Sequence, residues 1–161
     1  YEIVQGDWSS DGALPICKFI RDVDAFLQHF DRNNKLVVFT NGCFDLLHEG
    51  HLHLIAESKK LGGVLIVAVN DDASVQRLKG ATRPVEHLKT RMNHLAELDM
   101  VDYVVSFSED TPLQIIEKTT DILVKGGDYK KGEVVGNHIA RKTVIIPLLE
   151  GFSTTKIIQS K

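Results

Sequence analysis

The sequence predicts an α/β protein whose sheet has five parallel strands, with helices on both faces. Helix-like and strand-like segments alternate along the 161 residues, a length that suits one domain with its own core. The strand-like segments are apolar throughout and do not alternate between apolar and polar residues. Continuous apolar strands are typical of a parallel sheet that is covered on both faces, so both observations favour the same class.

Five short apolar runs, rich in β-branched residues, are predicted as strands. In chain order they lie at 35–40, 64–70, 101–107, 121–129 and 143–148. The fourth of these runs passes directly into a glycine loop.

Apolar residues at helical spacing predict helices around these strands. The helical segments are 19 to about 31, 54–63, 111–119, 153–160 and a segment that begins at Pro84 and has Val85, Leu88, Met92 and Leu95 on one face. Residues 1–15 are predicted as an extended arm or loop, and residues 71–80 as a polar loop.

The composition indicates which kinds of molecule the protein is expected to bind. The formal net charge of −3 argues against a sequence-independent grip on nucleic acid. No apolar run has the length of a membrane span, and Tyr1 is not followed by a signal-peptide pattern. Two cysteines, Cys17 and Cys43, are too few for a disulfide scaffold and favour a reduced, cytoplasmic setting. We therefore expect small-molecule partners, with neither nucleic acid nor membrane among them.

Distinctive residues follow four of the five predicted strands. The stretches are TNGCFD and HEGH after the first strand, NDD after the second, KGGDY after the fourth and EGFSTT after the fifth. The carboxyl ends of parallel strands meet at one edge of the sheet, and ligands of open α/β sheets bind beyond that edge. The sequence therefore predicts one site at this edge.

His48 and His51 lie three residues apart at the expected start of a helix. The first turn of a helix offers unpaired N–H groups and partial positive charge, which suit a phosphate. Gly42 and Gly50 would let the backbone approach such a ligand closely, and a polyanion would raise the histidine pKa values and favour protonation. The alternative is that one histidine caps the helix and the other is an ordinary surface residue.

Zinc is a further alternative for the HEGHLH segment. Zinc metalloprotease helices place two histidines four residues apart, whereas the spacing here is three and then two. No cysteine or carboxylate cluster in the sequence completes a tetrahedral set, so we expect no bound zinc.

A run of hydroxyls after Gly151 marks another predicted helix start. One hydroxyl is expected to be an ordinary N-cap, but three together, followed by Lys156, also predict a second phosphate cradle. The three residues are Ser153, Thr154 and Thr155.

The KGGDY segment is the candidate for binding a nucleoside. Gly126 and Gly127 would expose backbone groups that can recognise a flat base, and Asp128 could accept hydrogen bonds from ribose hydroxyls. The alternative is a glycine turn that carries a solvated carboxylate.

Taken together, these motifs resemble the nucleotidyltransferase superfamily with the HxGH motif, matched here by HEGH. Within it, FTNGCFDLLHEGH, VAVNDDASVQRLKG, TRPV, DILVKGGDY and EGFSTT are similar to the adenylyltransferase family of ADP-heptose synthesis. The similarity covers roughly residues 37–158, and the segment after 134–136 is a few residues shorter than the family pattern. It implies a Rossmann-like nucleotidyltransferase domain of residues 35–161. Residues 1–34, which the similarity does not cover with any specificity, are expected to form an N-terminal arm and helix packed on this domain.

The resemblance implies transfer of AMP from ATP to heptose 1-phosphate, with Mg²⁺ carried by the nucleotide, for lipopolysaccharide or related glycans. It makes His48 and His51 the catalytic residues. Phosphate contacts come from the backbone of Gly42, Cys43 and Phe44 and from the hydroxyls of 153–155, and adenosine contacts from 126–128. A homo-oligomer is possible.

The loop after the second strand is the expected acceptor site. Its amide, carboxylate and cationic groups suit a polyhydroxylated sugar phosphate. The residues are Asn70, Asp71, Lys79, Arg83 and Arg91. The alternatives are that Asp71 and Asp72 only cap a turn and that the cations are solvated surface charges.

A cytidylyltransferase acting on glycerol 3-phosphate or a similar alcohol phosphate is the second functional hypothesis. Members of that group carry an Arg-Thr-Glu-Gly-x-Ser-Thr pattern, and this chain has Leu148 in place of the arginine. We therefore expect ATP to be preferred over CTP. A nucleotide-binding regulatory module without turnover is a third hypothesis.

Overall fold

A computed structural model describes residues 19–20, 23–32, 34–109, 111–127, 136 and 138–147. Its strands are β1 (Phe19–Ile20), β2 (Val37–Gly42), β3 (Val64–Asn70), β4 (Tyr103–Phe107), β5 (Ile122–Gly126) and β6 (Lys142–Ile146). Its helices are α1 (Val23–His29), α2 (Glu49–Lys59), α3 (Asp72–Lys79), α4 (Leu88–Ala96) and α5 (Leu113–Thr119). The predicted arm at 1–15 and the predicted helix at 153–160 lie outside the described residues.

All strands of the described sheet run parallel, in the order β1-β4-β3-β2-β5-β6. The chain builds outward from β2 through β3 to β4, then returns to the other side of β2 to add β5 and β6. The carboxyl ends of β2 and β5 therefore flank the point where the strand order reverses, and ligands bind at such a point in open α/β sheets. The predicted α/β, Rossmann-like parallel fold is confirmed.

A two-residue sixth strand, β1, differs from the sequence prediction. We expected residues 19 and 20 to start the first helix, but Phe19 pairs with Val104 and Ile20 with Val105 at the edge of β4. The apolar spacing identified residues that face the core but could not distinguish a short edge strand from a first helical turn, since Ile20 is buried in either case.

Each face of the sheet has its own apolar core, because successive strand residues point to opposite faces. Ile55 of α2 and Met92 of α4 pack on one face, against alternate residues of the central strands. Phe26 of α1 and Ile116 of α5 pack on the other. Within the described part of the chain, no helix is long and apolar enough to cross a membrane.

Two predictions for residues 71–96 are wrong. The predicted polar loop contains α3, whose first turn is capped by the Asp71 side chain accepting from the Ser74 N–H. The next helix begins at Leu88 and not at Pro84, and Val85 is 51% exposed instead of packed in the core. Short, mostly polar helices such as α3 contain few apolar residues, so the cap is the clearer sign of their start.

The amino ends of β2 and β5 are tied together by Asp121, far from the proposed site. Both oxygens of its carboxylate lie 2.7 Å from Nη1 of Arg32, and one accepts the buried Val37 N–H at 2.9 Å. Burial raises the pKa of this carboxyl, but the Val37 hydrogen bond and the Arg32 charge outweigh burial and lower the pKa overall.

We predict that Asp121→Ala lowers the free energy of unfolding by roughly 2–3 kcal/mol at pH 7, mainly because the Val37 N–H loses its buried acceptor. Arg32 contributes less, because its side chain is 40% exposed and its charge is screened. A depressed folded pKa means that this stabilisation is present above the unfolded pKa of about 3.9 and is lost as the pH falls through the folded value.

Urea unfolding of wild type and Asp121→Ala at neutral and acidic pH measures this difference. Asp99→Ala, which removes an exposed carboxylate, is the matched control. A difference that is equally large below the folded pKa of Asp121 would contradict the assigned role.

Candidate functional site

The candidate site lies where β2 ends and α2 begins, at the reversal of strand order. Phe44 and Leu46, with φ of 49° and 56°, turn the chain between these two elements. A side chain on Gly42 would place its Cβ 3.3 Å from the Phe44 ring, so glycine here makes room for that ring to close over the end of β2. The Phe44 ring centroid in turn lies 5.3 Å from that of His51.

His48 and His51 form a stacked pair at the start of α2, with ring centroids 3.8 Å apart and planes 20° apart. His48 is the N-cap, and its Nδ1 accepts the Gly50 N–H at 3.1 Å. His51 completes a reciprocal capping box, because its Nδ1 accepts the His48 N–H at 3.3 Å. Both histidines therefore cap the helix, not one alone, and in both rings Nδ1 is the nitrogen bonded to the backbone.

The capping bonds also fix the tautomer of both rings. A Nδ1 atom that accepts a backbone N–H carries no proton, so a neutral ring has its proton on Nε2 and donates from there. Burial lowers the pKa of His48, and burial, the neighbouring His48 and Lys79 lower the pKa of His51 to about 3. In the ligand-free protein both rings are thus neutral at pH 7. Only the negative charge of a bound ligand would raise their pKa values enough to protonate them.

The glycine pair after β5 is partly committed to the fold. Gly127 adopts φ of 91°, which glycine reaches without strain, and its N–H donates to the Ile146 carbonyl at 3.0 Å. This N–H therefore joins β5 to β6. The sequence had predicted that it would be exposed as a donor to a ligand. Gly126 ends β5, with space for a Cβ bounded by Leu54 at 3.4 Å.

Asn70 and Asp71, two predicted acceptor ligands, are engaged within the protein. Asn70 is 3% exposed, and its Nδ2 donates to the Ser74 hydroxyl at 2.9 Å. Its Oδ1 lies 3.9 Å from the Cys43 sulfur. Asp71 caps α3 through the Ser74 N–H at 2.9 Å. Both side chains therefore make hydrogen bonds that stabilise the start of α3.

Arg91 was predicted to bind an anion or to be a solvated surface charge. In the structure its side chain is buried, with only 1% of the residue exposed. Its Nη1 donates to the carbonyls of Cys43 at 2.8 Å and Asn70 at 2.7 Å, and its Nε donates to the Glu86 carbonyl at 2.9 Å. Its Nη2 pairs with the Asp72 carboxylate at 2.7 Å. One guanidinium therefore joins the loop after β2, the end of β3, the start of α3 and the segment before α4.

Asp45 is a second buried connector, which sequence reasoning missed. It is 2% exposed, and its two oxygens accept the N–H groups of Val85 at 2.7 Å and Glu86 at 2.9 Å. Arg83 lies 3.7 Å from the same carboxylate, with a mostly buried side chain. The available signal was a carboxylate inside an apolar stretch, because buried carboxylates need hydrogen-bond partners.

Two lysines place positive charge at the site. Lys79 at the end of α3 lies close enough to Cys43, His51 and Lys125 to shift their pKa values. Lys125 of β5 is half-buried, and its Nζ donates to the Asn41 carbonyl at 3.2 Å. Sequence reasoning singled out Lys79 but not Lys125.

The remaining predicted ligands, Asp128, Ser153, Thr154 and Thr155, lie outside the described residues, so their contacts stay predictions. In the part of the chain that the structure describes, no group of three or more His, Cys, Asp or Glu side chains could hold a metal ion. The nearby carboxylates of Asp45, Asp71 and Asp72 are already engaged with backbone N–H groups or Arg91.

A model of the cytidylyltransferase-like family matches residues 39–160. The protein named bifunctional protein HldE of Helicobacter hepaticus is 49% identical over 144 residues, which cover 89% of this chain and 30% of that protein. The protein of the same name from Nitratiruptor sp. is 50% identical over 149 residues, or 90% of this chain and 32% of that protein. The chain thus spans about a third of the length of these curated relatives.

Two solved structures are similar in fold. The lipopolysaccharide core biosynthesis protein of Thermoplasma volcanium superposes with a TM-score of 0.61 and 31% identity, over 73% of this chain and 100% of that one. The pantoate-beta-alanine ligase of Francisella tularensis, solved with an ATP analogue and beta-alanine, has a TM-score of 0.57 over 88% of this chain and 76% of that one. Its 16% identity shows the shared fold alone.

We predict that the pKa values of the His48 and His51 rings in the ligand-free protein lie below the usual histidine value of about 6.5, with that of His51 at about 3. Protonation at Nδ1 would break the capping bonds, and burial disfavours the charge. Because the unfolded chain then binds more protons below pH 6.5, the free energy of unfolding should fall with the pH there. NMR titration of the ring protons measures the pKa values, with the urea-unfolded chain as reference; midpoints near 6.5 in the folded protein would contradict this.

Proposed function

Because the chain belongs to the cytidylyltransferase-like family of nucleotidyltransferases, we propose that it transfers AMP from ATP to the phosphate of a sugar 1-phosphate of heptose type. The products are ADP-heptose and pyrophosphate. The observation that carries this proposal is the stacked histidine pair, which presents two neutral Nε2–H donors side by side at a helix N-terminus. Parallel donors beside a helix start suit the oxygens of a polyphosphate.

The reaction needs positioning more than acid–base chemistry. An oxygen of the sugar phosphate, whose second pKa is about 6, is already anionic near neutral pH and attacks the α-phosphorus of ATP. A bond forms between that oxygen and the α-phosphorus, while the bond to the β-phosphate's bridging oxygen breaks and pyrophosphate leaves. Catalysis then consists of aligning two anions and stabilising the charge of the transition state.

His48 and His51 would donate to the phosphate oxygens as charge gathers on them. The backbone of Gly42, Cys43 and Phe44 would lie against the phosphates, held in place by Arg91 through the Cys43 carbonyl. Lys79 and Arg83 are the cations we propose for the acceptor phosphate, whereas Asn70, Asp71 and Arg91 shape the walls of its site.

The residues proposed for the rest of the nucleotide complete the binding mode. Gly126, Gly127 and Asp128 would hold adenosine, and the hydroxyls of residues 153–155 would brace the β- and γ-phosphates. Mg²⁺ enters as part of the MgATP substrate, bound to the phosphates and water. We place the reaction in the cytoplasm, where ATP is available and where the free thiol of Cys43 stays reduced.

Two findings support the proposed acceptor and the proposed nucleotide, one for each. One solved relative is described as a lipopolysaccharide core biosynthesis protein, which is consistent with a role in building glycans. The chain also has Leu148 where cytidylyltransferases of glycerol 3-phosphate carry arginine, which supports ATP over CTP.

We predict that the purified chain releases pyrophosphate when given MgATP and heptose 1-phosphate, with a higher kcat/KM than for CTP with glycerol 3-phosphate. Pyrophosphate release is measured for ATP and CTP, each with heptose 1-phosphate, hexose 1-phosphates and glycerol 3-phosphate at equal concentration. A preference for CTP and glycerol 3-phosphate would favour the second functional hypothesis, and release from no pair would favour a binding module.

Variants show whether that activity belongs to the candidate site. His48→Ala and His51→Ala should each lower kcat on the order of 10²–10³-fold, the usual cost of removing one preorganised donor to a transition state. His29→Ala is the matched control, because this side chain is exposed in the last turn of α1, outside the proposed site. Near wild-type rates in both site variants would show that the pair is not catalytic.

A further inference from the structure

Lys125 is a half-buried cation at the site with no part in the mechanism above. It is the penultimate residue of β5, and its Nζ donates across to the Asn41 carbonyl near the end of β2, at 3.2 Å. These two strands are adjacent, with Thr40 opposite Val124, and their carboxyl ends flank the reversal of strand order. The ammonium therefore bridges the crevice in which a ligand of this fold would bind.

We propose that Lys125 is a catalytic residue that contacts an anionic oxygen of the α-phosphate of the bound nucleoside triphosphate. This inference rests on the proposed function and adds a residue to it. Gly126 and Gly127, the proposed adenosine loop, follow Lys125 directly in the chain, whereas Asn41, its partner, directly precedes the phosphate-binding backbone proposed at Gly42. The α-phosphate is the part of ATP that joins the nucleoside to the rest of the phosphate chain, so it would lie between these two segments.

The electrostatics around Lys125 favour a bound anion. Burial lowers the pKa of its ammonium and Lys79 lowers it further, whereas Cys43 acts in the opposite direction. Burial raises the pKa of the Cys43 thiol, so that group is neutral at pH 7 and supplies little compensating charge. A phosphate oxygen would bring a negative charge close to both lysines, and its attraction would be strong because the site excludes part of the water.

Lys125 would act on the side of the nucleotide opposite the histidine pair. His48 and His51 donate from the start of α2, whereas Lys125 reaches the crevice from β5. During attack the α-phosphorus gathers negative charge on its non-bridging oxygens, and a fixed ammonium stabilises that charge more than it stabilises the ground state. No proton is transferred, and the lysine stays charged throughout.

A structural role predicts a different outcome from a catalytic one. If the ammonium only tied β5 to β2, its loss would cost stability and leave the chemical step unchanged. If the ammonium contacts the phosphate, an uncharged side chain of similar length should leave the fold intact. Removing a desolvated charge often leaves the free energy of unfolding unchanged or raises it.

The test compares Lys125→Met with Lys118→Met, which removes an exposed charge from the last turn of α5, at the other end of β5. We expect Lys125→Met to lower kcat for pyrophosphate release on the order of 10²–10³-fold. We expect it also to weaken binding of α,β-methylene-ATP, with a melting temperature no lower than that of the control. Values of kcat and affinity within about twofold of Lys118→Met would overturn the proposal.

A measurement on the wild-type protein keeps the proposal testable if the variant does not fold. NMR titration of the lysine Cε signals should show that the pKa of Lys125 rises when α,β-methylene-ATP binds and does not change with adenosine. The same pKa with and without α,β-methylene-ATP at saturation would overturn the contact. If that pKa rises but no nucleotide and acceptor pair releases pyrophosphate, the proposed function fails and the phosphate contact stands.

Discussion

The described site depends on one buried guanidinium. Arg91 of α4 donates to the Cys43, Asn70 and Glu86 carbonyls and pairs with Asp72, so one side chain fixes the relative positions of four chain segments. A buried charge is costly unless it is paired and hydrogen-bonded, and these contacts offset that cost. The planar fork of arginine suits the task because its donors point in fixed directions, which a lysine ammonium cannot reproduce.

With these segments fixed, the helices and strands position the polar groups of the site. Helix α2 starts at the end of β2, and its capping box holds both histidine rings with Nδ1 turned toward the backbone. The same bonds that start the helix thus create two neutral Nε2–H donors. Lys79 and Lys125 add positive charge from α3 and β5, so the groups proposed to meet the acceptor phosphate and the triphosphate come from elements that the parallel sheet brings to one edge.

The sequence was sufficient for five of the six described strands, but not for β1, and for the placement of the histidine pair at a helix start, because continuous apolar runs and a short polar motif are local signals. It did not reveal α3, since a short, mostly polar helix contains few apolar residues. It also did not reveal the tasks of Arg91, Asp45 and Asn70. The partners of Arg91 and Asp45 lie up to 48 residues away in the chain, and only the folded topology brings such groups together. Asn70 pairs with nearby Ser74, but nothing in the sequence indicated that bond. Polar residues near a predicted site therefore suggested ligands where the structure has connectors.

We propose that Arg91 orders the site and does not itself hold the acceptor. Hydrogen–deuterium exchange of Arg91→Lys against wild type tests this most directly, read at residues 42–47 and 82–87, with α5 as internal reference. We expect faster exchange in both segments, because the lysine cannot hold the Cys43 and Glu86 carbonyls together, and unchanged exchange in α5. Unchanged exchange in all three, accompanied by a raised KM for the sugar phosphate, would contradict it and make Arg91 an acceptor ligand.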